Sequence, residues 1–280
     1  MKRFLIPVDF SDVSRTAAQY GLDMAGDLDV QQIVFYHSYR ETPRHIAETE
    51  TASIRQAAIQ RLERMVAQLR IPANIAWGTI TFEADDRVVG DGIERLASHH
   101  SISMIVMGIS GLSDTDSMLI GQHTLSVAAA APAPLLIVPR FHRFSPVKKV
   151  VYPTDLREVE TTTPVDGITR LAQQLRAETH IIHVDYGAHR QTPESEAAQQ
   201  HLLGVLAGLN PVFEILRQHK DKAYGIFDYV NQHEIGLILM ASRNYGFFER
   251  ILHNSVSKRL LNIADVPVVL LKNRTRPSSS

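Results

Sequence analysis

An internal repeat, which decides how many domains a chain can form, divides this sequence into two similar halves. The opening segment Phe4–Asp9 recurs as Val150–Asp155, 146 residues later. His37 recurs as His183 at the same separation. The 280 residues are enough for two small domains, so the repeat predicts two consecutive domains of one fold.

The separation between the two copies decreases further along the chain. Ile105–Gly108 matches Ile238–Ala241, and Pro134–Val138 matches Pro267–Leu271, both 133 residues later. The second copy therefore lacks thirteen residues (146 − 133), about one element's worth of chain. Shortening of the segment that runs from residue 40 to residue 70 in the first copy accounts for this most simply.

Each copy alternates apolar runs of four to eight residues with amphipathic helical stretches, a pattern typical of parallel β/α units with helices on both sheet faces. We predict two doubly wound α/β domains, at residues 1–143 and 146–273, and a disordered tail at 274–280. The first-copy strands are expected at Arg3–Val8, Gln32–His37, Asn74–Phe82, Ser103–Gly108 and Leu135–Pro139. The first-copy helices are expected at Ser11–Ala25, Thr51–Leu69, Val88–His99 and Gly121–Ala131. The second-copy strands are expected near Lys149–Pro153, Thr179–Val184, Val212–Arg217, Leu237–Ala241 and Val268–Lys272.

Composition excludes several functional classes. The 29 Lys and Arg residues nearly balance 30 Asp and Glu residues, so no basic field favours nucleic acid or an anionic membrane surface. The chain has no cysteine, which removes disulfides and thiolate chemistry and fits a reducing compartment. The apolar run at the N-terminus is too short for a signal peptide. We expect a cytoplasmic protein that binds neither nucleic acid nor membrane.

Candidate ligand-binding residues stand at the ends of strands one and four, because ligands of open parallel sheets bind where the strand order reverses. Strand one ends with Asp9, and Ser11 is placed to cap the following helix. Asp9 is either a ligand-facing carboxylate or a second capping residue. Strand four leads into Gly108, Gly111 and Gly121, and glycines let the backbone approach a phosphate closely.

Together these features resemble the universal stress protein family, whose members open with a strand ending in Pro-(Val/Thr)-Asp and carry a Gly-x2-Gly-x9-Gly-(Ser/Thr) loop after a Met-Gly strand end. The resemblance covers about Lys2–Arg140 and Lys148–Lys272. It implies an adenine-nucleotide alpha-hydrolase-like fold with five parallel strands in the order 3-2-1-4-5. It also implies, for some members, ATP bound with adenine near the strand-one Asp and phosphates on the glycine loop. Whether magnesium accompanies such an ATP is left open by the sequence.

Carried over to this sequence, the resemblance places Asp9 against the ribose or adenine, and Gly111 and Gly121 beside the phosphates. The first pocket would comprise Pro7, Asp9, Ser38, Met107, Gly108, Gly111, Gly121, Gln122, His123 and Thr124. Gln122 replaces the family's Ser or Thr, and Asp114 and Asp116 place like charge in the phosphate loop.

The second copy has lost the three glycines, since Ala241, Asn244 and Asn254 stand in their places. A second pocket would comprise Asp155, Val184, Arg243, Asn254 and Ser255. We expect this pocket either to hold a different anion or to be empty, in which case the second domain has only a structural role.

Three functions remain open at this point. The first is a stress-response protein that binds ATP or a related adenine nucleotide in its first domain and acts through an unknown protein partner. The second is a non-nucleotide scaffold for dimerisation with vestigial pockets. The third is slow ATP hydrolysis, although no pattern pairs a nucleophile with a base and no catalytic residue is predicted.

Two further expectations concern metals and assembly. His37 and His183 are expected to be core or pocket-edge residues, and no histidine spacing predicts a metal site. Pairing of the two domains through their last strands would give an internal pseudo-dimer. A homodimer of such chains is the alternative.

Overall fold

The computed structural model describes residues 2–39, 48–109, 133–185, 192–217, 221–242 and 255–272. The chain separates into two compact units, Met1–Phe144 and Ser145–Ser280. The predicted helix Gly121–Ala131 and the predicted tail at 274–280 lie outside the described residues. Among the described helices, none has both the length and the apolar character needed to cross a membrane.

The first unit is a parallel sheet with helices between its strands. Its strands are β1 Arg3–Pro7, β2 Gln32–Ser38, β3 Ile80–Asp85, β4 Met104–Ile109 and β5 Leu135–Pro139. Its helices are α1 Asp12–Asp27, α2 Glu48–Val66 and α3 Val89–His99. The strand order is β3-β2-β1-β4-β5, as expected. The apolar runs form the core, because Leu5, Ile33 and Ile105 are fully buried on three neighbouring strands.

The second unit repeats this arrangement. Its strands are β6 Lys149–Thr154, β7 Glu178–Val184, β8 Val212–Leu216, β9 Leu237–Ser242 and β10 Val268–Lys272. Its helices are α4 Val159–Thr162, α5 Val165–Leu175, α6 Pro193–Val205, α7 Lys222–Gln232 and α8 Ser255–Ile263. The order β8-β7-β6-β9-β10 is again 3-2-1-4-5 within the unit. Both units therefore have the predicted doubly wound α/β fold.

Two differences between the copies have local causes. The helix after the second strand has 19 residues in α2 but 13 in α6, which accounts for part of the predicted shortening of this segment. The single helix α1 of the first unit corresponds to the short α4 followed by α5, and Pro164 stands between them at the N-cap of α5. Because proline has no N–H and restricts the residue before it, a continuous helix is interrupted there.

The predicted strand Asn74–Phe82 is placed wrongly at its start. Residues Trp77–Thr79 form a 3-10 turn, and β3 begins only at Ile80. The hydroxyl of Thr79 donates to the carbonyl O of Ala76 at 2.7 Å and closes the turn. The side chain of Trp77 is consequently not in the interior of the sheet, and the residue is 48% exposed.

Candidate functional site

The first and fourth strands of the first unit separate toward their carboxyl ends. The pairing of β1 with β2 continues to Pro7 opposite Tyr36, whereas the pairing of β1 with β4 ends at Leu5 opposite Ile105. The first and fourth strands are also where the strand order reverses, and ligands of this fold class bind at that point. The pairing of β1 with β4 thus ends before the tips of the two strands.

Asp9 stands at the tip of β1 and organises the turn into α1. Its Oδ1 accepts hydrogen bonds from the Ser11 N–H at 2.9 Å and from the Ser11 hydroxyl at 2.6 Å. Ser11 is the N-cap of α1, and its side chain accepts from the Ser14 N–H. Partial desolvation raises the pKa of Asp9, but the hydrogen bonds from Ser11 outweigh it and leave this pKa below its ordinary value. The exposed Asp9 is therefore an ionised carboxylate at neutral pH.

Phe10 adopts a left-handed conformation with φ of 66°. Left-handed backbone is uncommon outside glycine and is an outlier for a bulky side chain. The ring is held from two sides, because the Arg61 guanidinium lies 3.9 Å from its centroid and the His37 ring lies 4.5 Å away. Arg61 comes from α2 and brings an exposed positive charge against the Phe10 ring.

His37 connects the end of β2 to the end of β1. Its Nδ1 lies 2.7 Å from the carbonyl O of Val8, so the neutral ring carries its proton on Nδ1 and leaves Nε2 as an acceptor. Burial lowers the pKa of His37, and the Arg61 charge lowers it further, while the Val8 carbonyl and Asp9 act in the opposite direction. His37 is half-buried, and which of the two predicted roles it has, core or pocket-edge, stays a prediction.

Gly108 is required by packing against α1. A Cβ built on Gly108 would lie 2.5 Å from Val13 Cγ1 and 2.6 Å from the Val13 carbonyl O. The sequence interpretation linked this glycine to close approach of a phosphate. In the structure its lack of a side chain lets the first turn of α1 pass the end of β4.

The other predicted first-pocket residues differ in what they can contribute. Pro7 and Met107 are buried in β1 and β4. The Ser38 hydroxyl donates to the carbonyl O of Arg87 at 2.5 Å and so ties β2 to the loop before α3. The remaining predicted residues, Gly111, Gly121, Gln122, His123 and Thr124, lie outside the described residues.

The second unit repeats the strand-one turn. Asp155 accepts from the Arg157 N–H at 3.1 Å, and Leu156 has a φ of 58°, as Phe10 has 66° in the first unit. His183 Nδ1 lies 2.9 Å from the carbonyl O of Thr154, which matches the contact of His37 with Val8. The backbone of both sites is thus built alike, although a leucine replaces the phenylalanine.

The rest of the second pocket is described only in part. Val184 is buried at the end of β7, and Ser255 is the first residue of α8. Arg243 and Asn254 lie outside the described residues.

A comparison with protein families now identifies the fold. The family model described as the universal stress protein family matches residues 1–139 and again residues 146–272. The chain belongs to the universal stress protein family. It contains two copies of the family's domain in tandem. No curated protein sequence matches the chain.

Two solved structures that match nearly the whole chain have the same fold at low sequence identity. A universal stress protein from Archaeoglobus fulgidus DSM 4304 is 18% identical, with a TM-score of 0.68 over 97% of this chain and 98% of that one. The functionally unknown protein PA1789 from Pseudomonas aeruginosa PAO1 is 12% identical, with a TM-score of 0.56 over 97% and 92%. A shorter universal stress protein from Archaeoglobus fulgidus, solved in complex with dAMP, is 16% identical, with a TM-score of 0.35 over 46% and 100%.

Phe10 and Arg61 were missed by the sequence interpretation of the site. Arg61 is separated from Asp9 by more than fifty residues of chain and arrives through α2. The only sequence property that could have suggested Phe10 is its position between the predicted carboxylate and the predicted cap, because nothing marks a non-glycine residue as left-handed.

Proposed function

We propose that this tandem universal stress protein binds an adenine nucleotide at the first unit, at the carboxyl ends of β1 and β4. The observation that carries the proposal is the ionised, exposed carboxylate of Asp9 at the tip of β1. A carboxylate at the tip of a parallel strand is suited to accept hydrogen bonds from ribose hydroxyls or an adenine amino group. Membership of the family supports the choice of nucleotide.

The surroundings of Asp9 support a ligand that carries both polar and negatively charged groups. The Arg61 guanidinium supplies positive charge over the ring of Phe10, the residue after Asp9, and His37 Nε2 supplies an acceptor. The glycine loop that follows β4 would hold the phosphates, with magnesium as their counterion. The second unit keeps the carboxylate Asp155 but has lost the three loop glycines, so we propose that it does not hold the same nucleotide.

We propose further that nucleotide occupancy acts through a protein partner in the cytoplasm and not through catalysis. In the described part of the first site, Asp9 Oδ1 and His37 Nδ1 hold the β1 turn, and we assign the remaining acceptors, Asp9 Oδ2 and His37 Nε2, to hydrogen bonds with the ligand and not to proton removal. A general base must reach the proton that it removes. This consideration favours binding over hydrolysis.

Calorimetric titration of ATP with magnesium into the full chain tests the proposal. The test variant is Asp9→Ala, and the repeat supplies its matched control, Asp155→Ala, which removes the same carboxylate from the same turn in the second unit. We expect saturable binding in the wild type, at least about tenfold weaker binding in Asp9→Ala, and unchanged binding in Asp155→Ala. Circular dichroism of both variants checks that they fold.

Two results would contradict the proposal. Absence of heat at millimolar ATP, and likewise at millimolar AMP, in the wild type would favour the scaffold with vestigial pockets. Loss of binding in Asp155→Ala but not in Asp9→Ala would move the nucleotide to the second unit.

A further inference from the structure

In the second unit, three side chains from three different segments meet beside α7. His180 on β7, Glu214 on β8 and His233, which follows α7, each offer one ligand atom, and these atoms all lie within 4.8 Å of one another. Imidazole nitrogen and carboxylate oxygen are donors that zinc uses in proteins. We propose that His180, Glu214 and His233 bind a divalent transition-metal ion of the zinc type.

Tyr229, on α7, connects the three candidate ligands. Its hydroxyl donates to Glu214 Oε1 at 2.9 Å and lies 2.8 Å from His180 Nδ1. Its ring stacks on the ring of His233, with centroids 4.0 Å apart and planes 17° apart. Tyr229 therefore acts as a positioning residue that brings the ligands toward one point, and its oxygen or a water can take the fourth position of a tetrahedral ion.

The second ring nitrogen of His180 contacts the carboxylate of Glu178. The Nε2 atom of His180 lies 3.1 Å from Glu178 Oε1, on the side of the ring away from Tyr229. A carboxylate on the second nitrogen is the usual partner of a metal-binding histidine, because it fixes the orientation and tautomer of the ring. Lys149 donates to the carbonyl O of His233, so the nearby charges are two carboxylates and one ammonium. Their sum is negative and favours a cation.

The first unit fills the equivalent space differently. The repeat separation of 146 aligns His180 with Val34, and the separation of 133 aligns Tyr229 with Leu96. Val34 and Leu96 are both buried apolar residues. Polar groups in a position that a homologous domain fills with hydrocarbon are costly to bury unless they have partners, and in the second unit His180, Tyr229 and Glu214 partner one another. The site is thus specific to the second copy.

The geometry needs only a small contraction. With bonds of about 2.0–2.1 Å, the donors around tetrahedral zinc lie roughly 3.4 Å apart. The ligand atoms of His180, Glu214 and His233, now up to 4.8 Å apart, would therefore have to approach one another by at most about 1.4 Å. His180 is buried in the sheet, whereas Glu214 and His233 are half-buried and able to make this movement.

Titration of Co²⁺ into the full chain, after dialysis against a chelator, tests the site. Tetrahedral cobalt has an intense visible ligand-field band, which Zn²⁺ should displace. We expect one equivalent to bind, and at least about tenfold weaker binding in Glu214→Gln and in His233→Gln. The matched control is His201→Gln, which removes a histidine of the same unit outside the cluster, and it should bind like the wild type.

The same samples supply a second readout. Zn²⁺ should raise the unfolding temperature of the wild type and of His201→Gln, and should raise it less in Glu214→Gln, which has the shape of the natural residue and is expected to fold. The proposal is overturned if the wild type shows neither the cobalt band nor the zinc-dependent rise. It is equally overturned if both cluster variants bind as tightly as the wild type, because other histidines would then be the ligands.

Discussion

Replacement of Gly108 by alanine should destabilise the first unit even when no nucleotide is bound. The added Cβ would lie 2.6 Å from the Val13 carbonyl O, against about 3.4 Å or more for ordinary contact. The Val13 side chain could rotate away, but the carbonyl belongs to the first turn of α1, so the helix or β4 must move. Overpacking of this kind costs about 1–3 kcal/mol, and a backbone neighbour places Gly108→Ala near the upper end, at roughly 2–3 kcal/mol.

The assay is thermal unfolding of the full chain without ligand. For a unit of this size, a loss of roughly 2–3 kcal/mol lowers the unfolding temperature by about 6–12 °C. The control is Gly78→Ala, because a Cβ on Gly78 has nothing within 4 Å, and its effect should stay within about 0.5 kcal/mol. If Gly108→Ala unfolds at the temperature of the wild type, the packing explanation for this glycine is wrong. Close approach of the backbone to a phosphate would then be the better explanation.

Three more predictions concern single side chains. A Cβ on Gly92 would lie 1.8 Å from the Tyr36 hydroxyl, so Gly92→Ala should displace that ring and cost about 2–4 kcal/mol in urea unfolding; a change below 1 kcal/mol would contradict the packing described. Because the pKa of His37 is lowered by burial, its contribution to stability is complete above the ordinary pKa of about 6.5 and is lost as the pH falls through the folded value. The wild type should therefore exceed His37→Gln in unfolding free energy by more at pH 7 than at pH 5, and a constant difference would refute this. Asp221 caps α7 by accepting from two backbone N–H groups and also pairs with Arg259, so Asp221→Ala should cost about 1 kcal/mol by chemical denaturation, whereas an unchanged midpoint would show that the cap is not needed.

The strand order of both units could be predicted because the apolar runs of a parallel sheet are nearly continuous and the repeat supplies the register. The start of β3 could not, since the segment before it contains Ile75, Ala76 and Trp77, which look like part of a strand. Only the hydrogen bonds of the 3-10 turn distinguish this turn from an earlier start of the strand, and residue propensities do not predict those hydrogen bonds.

The sequence likewise predicted one of the two candidate sites and not the other. Asp9 could be predicted because a carboxylate at a strand tip is visible in one short segment of sequence. The cluster of His180, Glu214 and His233 could not, because its members are contributed by two strands and the end of a helix, more than fifty residues apart at the extremes. Histidine spacing reveals a metal site only when the ligands share one element.

The left-handed residue after each strand-one carboxylate has a consequence for engineering the protein. Phe10 and Leu156 adopt a conformation that costs a non-glycine residue about 1–2 kcal/mol, and both copies keep it although only one keeps the glycine loop. The turn therefore serves to aim the chain from sheet to helix, independently of any ligand. Glycine at position 156 would relieve this strain in the second unit alone, so the chain can be made more robust without altering the residues that we assign to nucleotide or metal.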